Sequence, residues 1–282
     1  MSTRKIPVIA AIPNYNMAES LRSLLPALLK QDYDHIYVLD DASTDYSSDI
    51  VALFEGRVTF IENRVNGGAG AARNMILDVV NDPVIIHFID ADIQLDTENP
   101  AMIARQLFAS NDNIGFIGGL VKTADGRQSY WNYGERQGAM SMISSWGQSF
   151  LESTSANHKN VEGFIRRHHL WPGLTSRPDP LASPKRTTTF WVSEANFLIR
   201  SDIFRELGGF DTTIREHDIQ TLAISAQTAG YINYFDPSIC TTHLGVNVRK
   251  YFRPWAIVAA EMYLARKYGL KSWLFANAHH NK

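Results

Sequence analysis

The sequence predicts an α/β fold in which a mixed, mostly parallel sheet carries helices on both faces of a single domain. Three observations carry that expectation. Through the first 120 residues, short apolar runs alternate with helix-patterned segments, the order that a parallel sheet with crossover helices produces. The run from Val84 to Ile89 is apolar almost without interruption, as a strand buried on both faces must be. Each apolar run also ends in polar or loop-forming residues, and right-handed crossovers bring such ends to one edge of the sheet.

Taken in order, the first strand runs from Val8 to Ile12 and ends in Pro13-Asn14-Tyr15-Asn16, before a helix from Ala18 to Leu29. A second strand, Ile36 to Leu39, ends in Asp40-Asp41-Ala42-Ser43 and precedes a helix from Ser47 to Phe54. The third, Val58 to Ile61, ends in Glu62-Asn63-Arg64, and a glycine-rich stretch then opens a helix from Ala69 to Val80. The Val84 run ends in Asp90-Ala91-Asp92. Between Gly119 and Arg186 the pattern gives way to aromatic and polar residues, including Tyr130, Trp131, Tyr133, Trp146, His168, His169 and Trp171. A stretch this long without regular pattern inside a compact domain is expected to be functional. Order returns with Phe190 to Ile199, a helix from Asp202 to Leu207, the turn Gly208-Gly209-Phe210-Asp211, a helix from Ile219 to Thr228 and a strand from Tyr231 to Phe235. The expected organisation is a first half at 1–120, a variable segment at 121–186, a second half at 187–244 and a helical tail at 245–282.

Composition narrows the function. The 282 residues carry a net charge of −2, without the basic footprint that nucleic acid requires. The single cysteine, Cys240, excludes an intrachain disulfide and a thiolate metal cluster, which favours a reducing, cytoplasmic setting. No signal-peptide pattern opens the sequence, and no run of about eighteen apolar residues occurs. The tail from Arg253 to Tyr268 reads as a helix packed on the core; a peripheral contact with the inner face of a membrane is its second reading.

The acids at the strand ends suggest the chemistry. Asp90 and Asp92, two residues apart at a sheet edge, can offer oxygen ligands to a hard divalent cation that in turn binds a diphosphate. Pro13, Tyr15 and Asp41 offer a flat contact and a polar partner for a nucleotide base, with Glu19 nearby. Gly68 permits close backbone approach, and Arg73 is a candidate bidentate cation for phosphate. The same acids could merely cap helices and shape turns.

Pro13-Asn14-Tyr15-Asn16, Leu39 to Asp45, Asn66 to Asn74, Asp90-Ala91-Asp92, Gly208-Gly209-Phe210-Asp211, Glu216-His217-Asp218, Ala229-Gly230-Tyr231 and His243 follow one another in an order that resembles the inverting family 2 glycosyltransferases of the GT-A (Rossmann-like) fold. The resemblance implies a nucleotide-diphospho-sugar donor, with UDP-sugar as default, and a divalent metal, Mn2+ or Mg2+. It implies a glycan, lipid-linked or other hydroxyl acceptor. By resemblance, Asp41 holds the base, Asp92 binds the metal directly, Asp90 faces the ribose or a metal-bound water, Ala91 lies between them against the donor, and His243 completes the coordination. The family places its catalytic base at the start of the helix after Gly-Gly-Phe-Asp, usually in adjacent Glu-Asp. Here Glu216-His217-Asp218 departs from that pattern. Asp218 fits the role by its place at the helix start, and Glu216 is the alternative. Glu194 stands where many relatives have a small residue, and Ala260-Glu261 where Arg-Asn is common.

Other readings are weaker. A dinucleotide fingerprint would need glycine or alanine where Arg73 stands, and a haloacid-type phosphatase would need Thr or Val where Gln94 stands. A non-catalytic nucleotide-sugar-binding protein of the same fold is the alternative that the departure at Glu216-His217-Asp218 leaves open.

Overall fold

Strand β1 (Val8–Asn14) sends Ile9 and Ala11 into one apolar cluster and Ala10 and Ile12 into another, the two-residue alternation of a strand buried on both faces. The computed structural model describes residues 6–109, 111, 113–136, 164, 168, 178, 182–246 and 253–270. After β1 come α1 (Ala18–Leu28), β2 (His35–Asp40), α2 (Ser47–Ala52), β3 (Val58–Glu62), α3 (Ala69–Asn74), α4 (Ile76–Val79) and β4 (Ile85–Ile89). Strands β1 to β4 are mutually parallel, with β1 between β2 and β4 and β3 outside β2, so their acid-bearing ends share one edge as expected.

The helix expected from Ala69 to Val80 is divided into α3 and α4. At the division the Met75 amide meets the Ala72 carbonyl at 3.2 Å, a three-residue turn. The Asn74 side chain there brackets Phe210, donating to its carbonyl at 2.9 Å and accepting from its amide at 2.8 Å.

The second half continues with β5 (Ile93–Leu95), α5 (Pro100–Ala109), β6 (Ile114–Lys122), β7 (Tyr133–Gly134), β8 (Thr187–Thr189), β9 (Trp191–Val192), β10 (Asn196–Arg200), α6 (Ser201–Glu206), α7 (Asp218–Thr228), β11 (Ile232–His243) and α8 (Arg253–Tyr268). The sheet order is β3-β2-β1-β4-β10-β6-β11-β5, with β8 along β11. Strand β10 runs antiparallel between β4 and β6, which makes the sheet mixed. Its Phe197 lies opposite Phe88 of β4, the rings stacked at 5.0 Å, and Phe204 and Phe210 close on Phe88 edge-on. These rings seal the face on which α3, α6 and α7 pack.

The strand expected from Tyr231 to Phe235 extends to His243 by way of an irregularity. Its register against β6 shifts between Phe235 and Cys240, where Pro237 cannot donate to the ladder and Asp236 accepts from the Ser238 amide at 2.9 Å. Beyond the shift β11 also pairs with β5, placing His243 opposite Ile93, one residue from Asp92.

Tyr133 and Trp131 of the expected variable segment pack against the core, and Tyr133 lies 4.5 Å from the Phe235 ring. Trp146, His169 and Trp171 lie outside the described residues. Helix α8 buries Ile257, Ala260 and Leu264 and leaves Trp255 and Met262 exposed. Among the described residues no helix is long and apolar enough to cross a membrane.

A polar thread crosses this core. His87, fully buried in β4, meets the Tyr33 hydroxyl through Nδ1 at 2.7 Å and Asn196 Oδ1 through Nε2 at 2.8 Å, while Asn196 donates to the Leu120 and Ile239 carbonyls at 3.1 Å each. Burial lowers the His87 pKa to about 4, against the Asn196 hydrogen bond. Between its unfolded value of about 6.5 and this value, the unfolded chain binds a proton that the folded chain does not, so stability present above pH 6.5 is lost as the pH falls. Chemical denaturation at pH 7 and pH 5 should show the parent chain losing about 2 kcal/mol more than His87→Gln. Equal losses would place the titration elsewhere.

Candidate functional site

The polar ends of β1 and β2 are tied together before any ligand is considered. Asn14 Nδ2 donates to Asp40 Oδ1 at 2.6 Å, the Ser43 amide donates to Asp40 Oδ2 at 2.8 Å, and Asn16 Oδ1 accepts from the Thr44 and Asp45 amides at 2.7 and 3.1 Å. Asp40 is therefore a turn organiser. Ala42 is held at φ 60°, a left-handed conformation that a β-carbon disfavours.

Asp41 is buried, and its carboxylate gathers the glycine-rich loop. It accepts from the Gly67 amide at 2.9 Å, the Gly68 amide at 2.7 Å and Asn63 Nδ2 at 3.1 Å. The Gly68 N–H is thus committed to Asp41. Gly68 adopts φ +92° in making that bond. Pro13, opposite Leu39, and Tyr15 are half-buried beside this loop pair. Glu19 is exposed and occupied by the Tyr46 hydroxyl and Arg22.

At the end of β4, Asp90, Asp92 and His243 converge. Oxygen and nitrogen atoms from the three lie within 4.8 Å of one another, with His243 Nε2 3.5 Å from Asp92 Oδ1. Ligands about 2.0–2.4 Å from one divalent ion can lie no more than about 4.8 Å apart, so this donor set fits such an ion. Asp92 is held in place by the Val246 amide on Oδ2 at 2.9 Å, and its backbone carbonyl accepts from the Leu244 amide at 2.9 Å. Burial raises the Asp92 carboxyl above the usual range; His243 opposes the rise and Asp90 adds to it. Ala91, between the two acids, is buried in the core.

Arg73 departs from its expected role. Only 2% of its side chain is exposed, and its guanidinium pairs with Asp90 at 2.8 Å and Glu194 at 3.1 Å. It is a support beneath the acids, not a cation open to phosphate. Its charge lies 5.6 Å from the centre of the Phe210 ring. Burial, reinforced by the neighbouring Asp218 carboxylate, pushes the Glu194 carboxyl well above the usual range despite Arg73. Asp218, buried, is the first residue of α7. Glu216 is buried two residues before it, and His217 between them holds φ 60°.

Sequence reasoning singled out Asp90, Asp92, His243 and Asp218, and the fold brings the first three together and links the fourth through Arg73 and Glu194. It flagged Glu194 as a departure without giving it a role. Asn74 was missed as the bracket for Phe210; its place at the end of the glycine-rich motif was the available signal.

Helix α3 approaches Asp218 closely. A β-carbon at Gly70 would lie 2.8 Å from Asp218 Oδ2 and 3.2 Å from Phe210 Cβ. Glycine to alanine inside a helix ordinarily stabilises by about 1 kcal/mol. Here the contact reverses the sign: Gly70→Ala should lower stability by about 1–3 kcal/mol in thermal or urea melts. A stabilised variant would show that the approach is looser than this.

The comparisons with known proteins accord with this geometry. The model of the family described as glycosyl transferase family 2 matches residues 9–176, more than half of the chain. A poly(ribitol-phosphate) beta-glucosyltransferase of Bacillus spizizenii is 33% identical over 132 residues, which cover 44% of this chain and 20% of that protein. The poly(ribitol-phosphate) beta-N-acetylglucosaminyltransferase TarS of Staphylococcus aureus is 29% identical over 94 residues, covering 31% and 16%. The match thus spans about a fifth or less of these curated relatives. Among solved structures, GalNAc-T7 with UDP, GalNAc and Mn2+ is similar with a TM-score of 0.59 at 14% identity, over 86% of this chain and 44% of that one. Residues 1–349 of S. aureus TarS give 0.56 at 15%, over 93% and 65%. These likenesses identify the fold as GT-A. The chain belongs to glycosyl transferase family 2.

Proposed function

We propose that the chain transfers a sugar from a UDP-sugar to an acceptor hydroxyl with inversion, in a metal-dependent reaction. The observation that carries the reading is the convergence at one sheet edge of the Asp90, Asp92 and His243 donor set with a buried carboxylate, Asp218, joined to it through Arg73 and Glu194. A divalent cation bound by Asp92, His243 and Asp90 would neutralise charge developing on the departing diphosphate. Pro13, Tyr15 and Asp41 receive the base. Asp41 Oδ2 takes one described hydrogen bond, from Gly68, and an ionised carboxylate oxygen can accept two.

Asp218 is the general base. Its carboxylate takes the proton from the acceptor hydroxyl as that oxygen bonds to the anomeric carbon, and the bond from that carbon to the diphosphate oxygen breaks on the opposite face. Glu194 lies beside Asp218 and helps to set its surroundings. The beta linkage named for both curated relatives supports inversion, and their poly(ribitol phosphate) acceptor makes a polyol-phosphate hydroxyl the first acceptor to try.

The test is release of UDP from UDP-glucose or UDP-GlcNAc, with Mn2+ and a mixed pool of polyol-phosphate and glycan acceptors. No release with any donor would overturn the transferase reading in favour of a nucleotide-sugar-binding protein. Asp218→Asn should lower kcat by about 10²–10⁴ and barely alter the Kd for UDP. A loss confined to Glu216→Gln would move the base there. Asp92→Asn should remove the Mn2+-dependent part of UDP binding in calorimetry, and unchanged metal dependence would dismiss the proposed donor set.

A further inference from the structure

The segment that presents Asp218 is held from outside by the tail helix. Glu261 of α8 has no exposed surface, and its Oε1 accepts from Nδ1 of His217 at 2.7 Å. His217 is nearly buried, with 9% of its side chain exposed, and it holds the left-handed φ of 60° in the residue directly before α7. A non-glycine residue rarely adopts that conformation unless its surroundings enforce it. Here the side chain is met by a carboxylate 44 residues away in sequence.

Two further contacts place α8 against the same segment. Ile214 packs with Ala260 and Leu264. Asp211 accepts from the Tyr263 hydroxyl at 2.7 Å and pairs with Lys267 at 2.6 Å, contacts that hold its carboxyl well below the usual range. Residues 211, 214 and 217 thus each meet α8 within seven residues of Asp218. A buried carboxylate is costly unless its partners are fixed, so Glu261 acts as a rigid stop and not as a loose tether.

We propose that Glu261 is a positioning residue for the transfer reaction: through His217 Nδ1 it fixes the backbone turn that aims the Asp218 carboxylate. The inference rests on Asp218 as the base and adds that the aim of this base is set from the tail. The inserted histidine in Glu216-His217-Asp218 and the carboxylate at position 261 then form one device, each explaining the other's presence.

The experiment uses the full chain with UDP-GlcNAc or UDP-glucose, Mn2+ and the acceptor pool that supports turnover. Glu261→Ala should lower kcat about 10- to 100-fold, the scale on which small misplacements of a catalytic group act, with the Kd for UDP unchanged. Glu261→Gln keeps an oxygen that accepts from Nδ1 and should recover most of the rate. The double variant Asp218→Asn/Glu261→Ala should be no slower than Asp218→Asn alone, because a displaced base that is already disabled loses nothing more. If Glu261→Ala fails to fold, Glu261→Met, which fills the space without accepting a hydrogen bond, takes its place. A kcat equal to the parent in Ala or Met, no recovery with Gln, or additive losses in the double variant would each overturn the inference while leaving Asp218 as base. A parent-like rate in Asp218→Asn would overturn the base assignment and the inference with it.

Discussion

Arg73 is a charge buried where water cannot reach it, and the site is arranged around its neutralisation. Removing a guanidinium from water costs several kcal/mol unless carboxylates meet it with good geometry. Asp90 and Glu194 meet it from two strand ends, at 2.8 and 3.1 Å, and Phe210 lies 5.6 Å away over the charge. The acids are in turn constrained by the cation they serve. Asp90 cannot swing freely at the rim of β4, and Glu194 is held where its carboxyl reaches Asp218. One buried cation thus couples the group that would face the metal to the group that would take the proton.

That coupling needs strands that are distant in sequence to end side by side. β10 enters antiparallel between β4 and β6, so the residues preceding its start lie at the finishing edge of β4; Asp90 N donates to the Ala195 carbonyl at 3.2 Å there. β11 makes the complementary delivery. After its register break at Pro237 the strand pairs with β6 on one side and with β5 on the other, which carries His243 to Asp92.

These long-range pairings mark how far the sequence could be read. The parallel strands β1 to β4 and their polar ends were legible because the signals are local: a short apolar run, then a turn, then a helical pattern. Asp90, Asp92 and Asp218 were legible as types at element ends. The inversion of β10 was not, since Phe197 and its neighbours are apolar in either direction. The partners of Arg73 and Gly68 were not legible, for a common reason. Their residue types suit a phosphate, but Asp90, Glu194 and Asp41 reach them first, and partners that far away in sequence leave no local mark. Asp41 shows the converse: the acid expected to hold a base also holds the loop.

The carboxylates at this edge differ in environment, and that separates what each can do. Asp92 is raised by burial and eased by His243, the environment of a ligand that a cation would readily pull into its ionised form. Glu194 is raised too, by burial and by Asp218 beside it, with Arg73 opposing the rise. A family pattern written as residue types therefore undershoots this site: Glu194 and the tail contact at Glu261 alter the surroundings of Asp218 without changing Asp218 itself. In this chain the departures from the family pattern, at Glu194, His217 and Glu261, are grouped around Asp218.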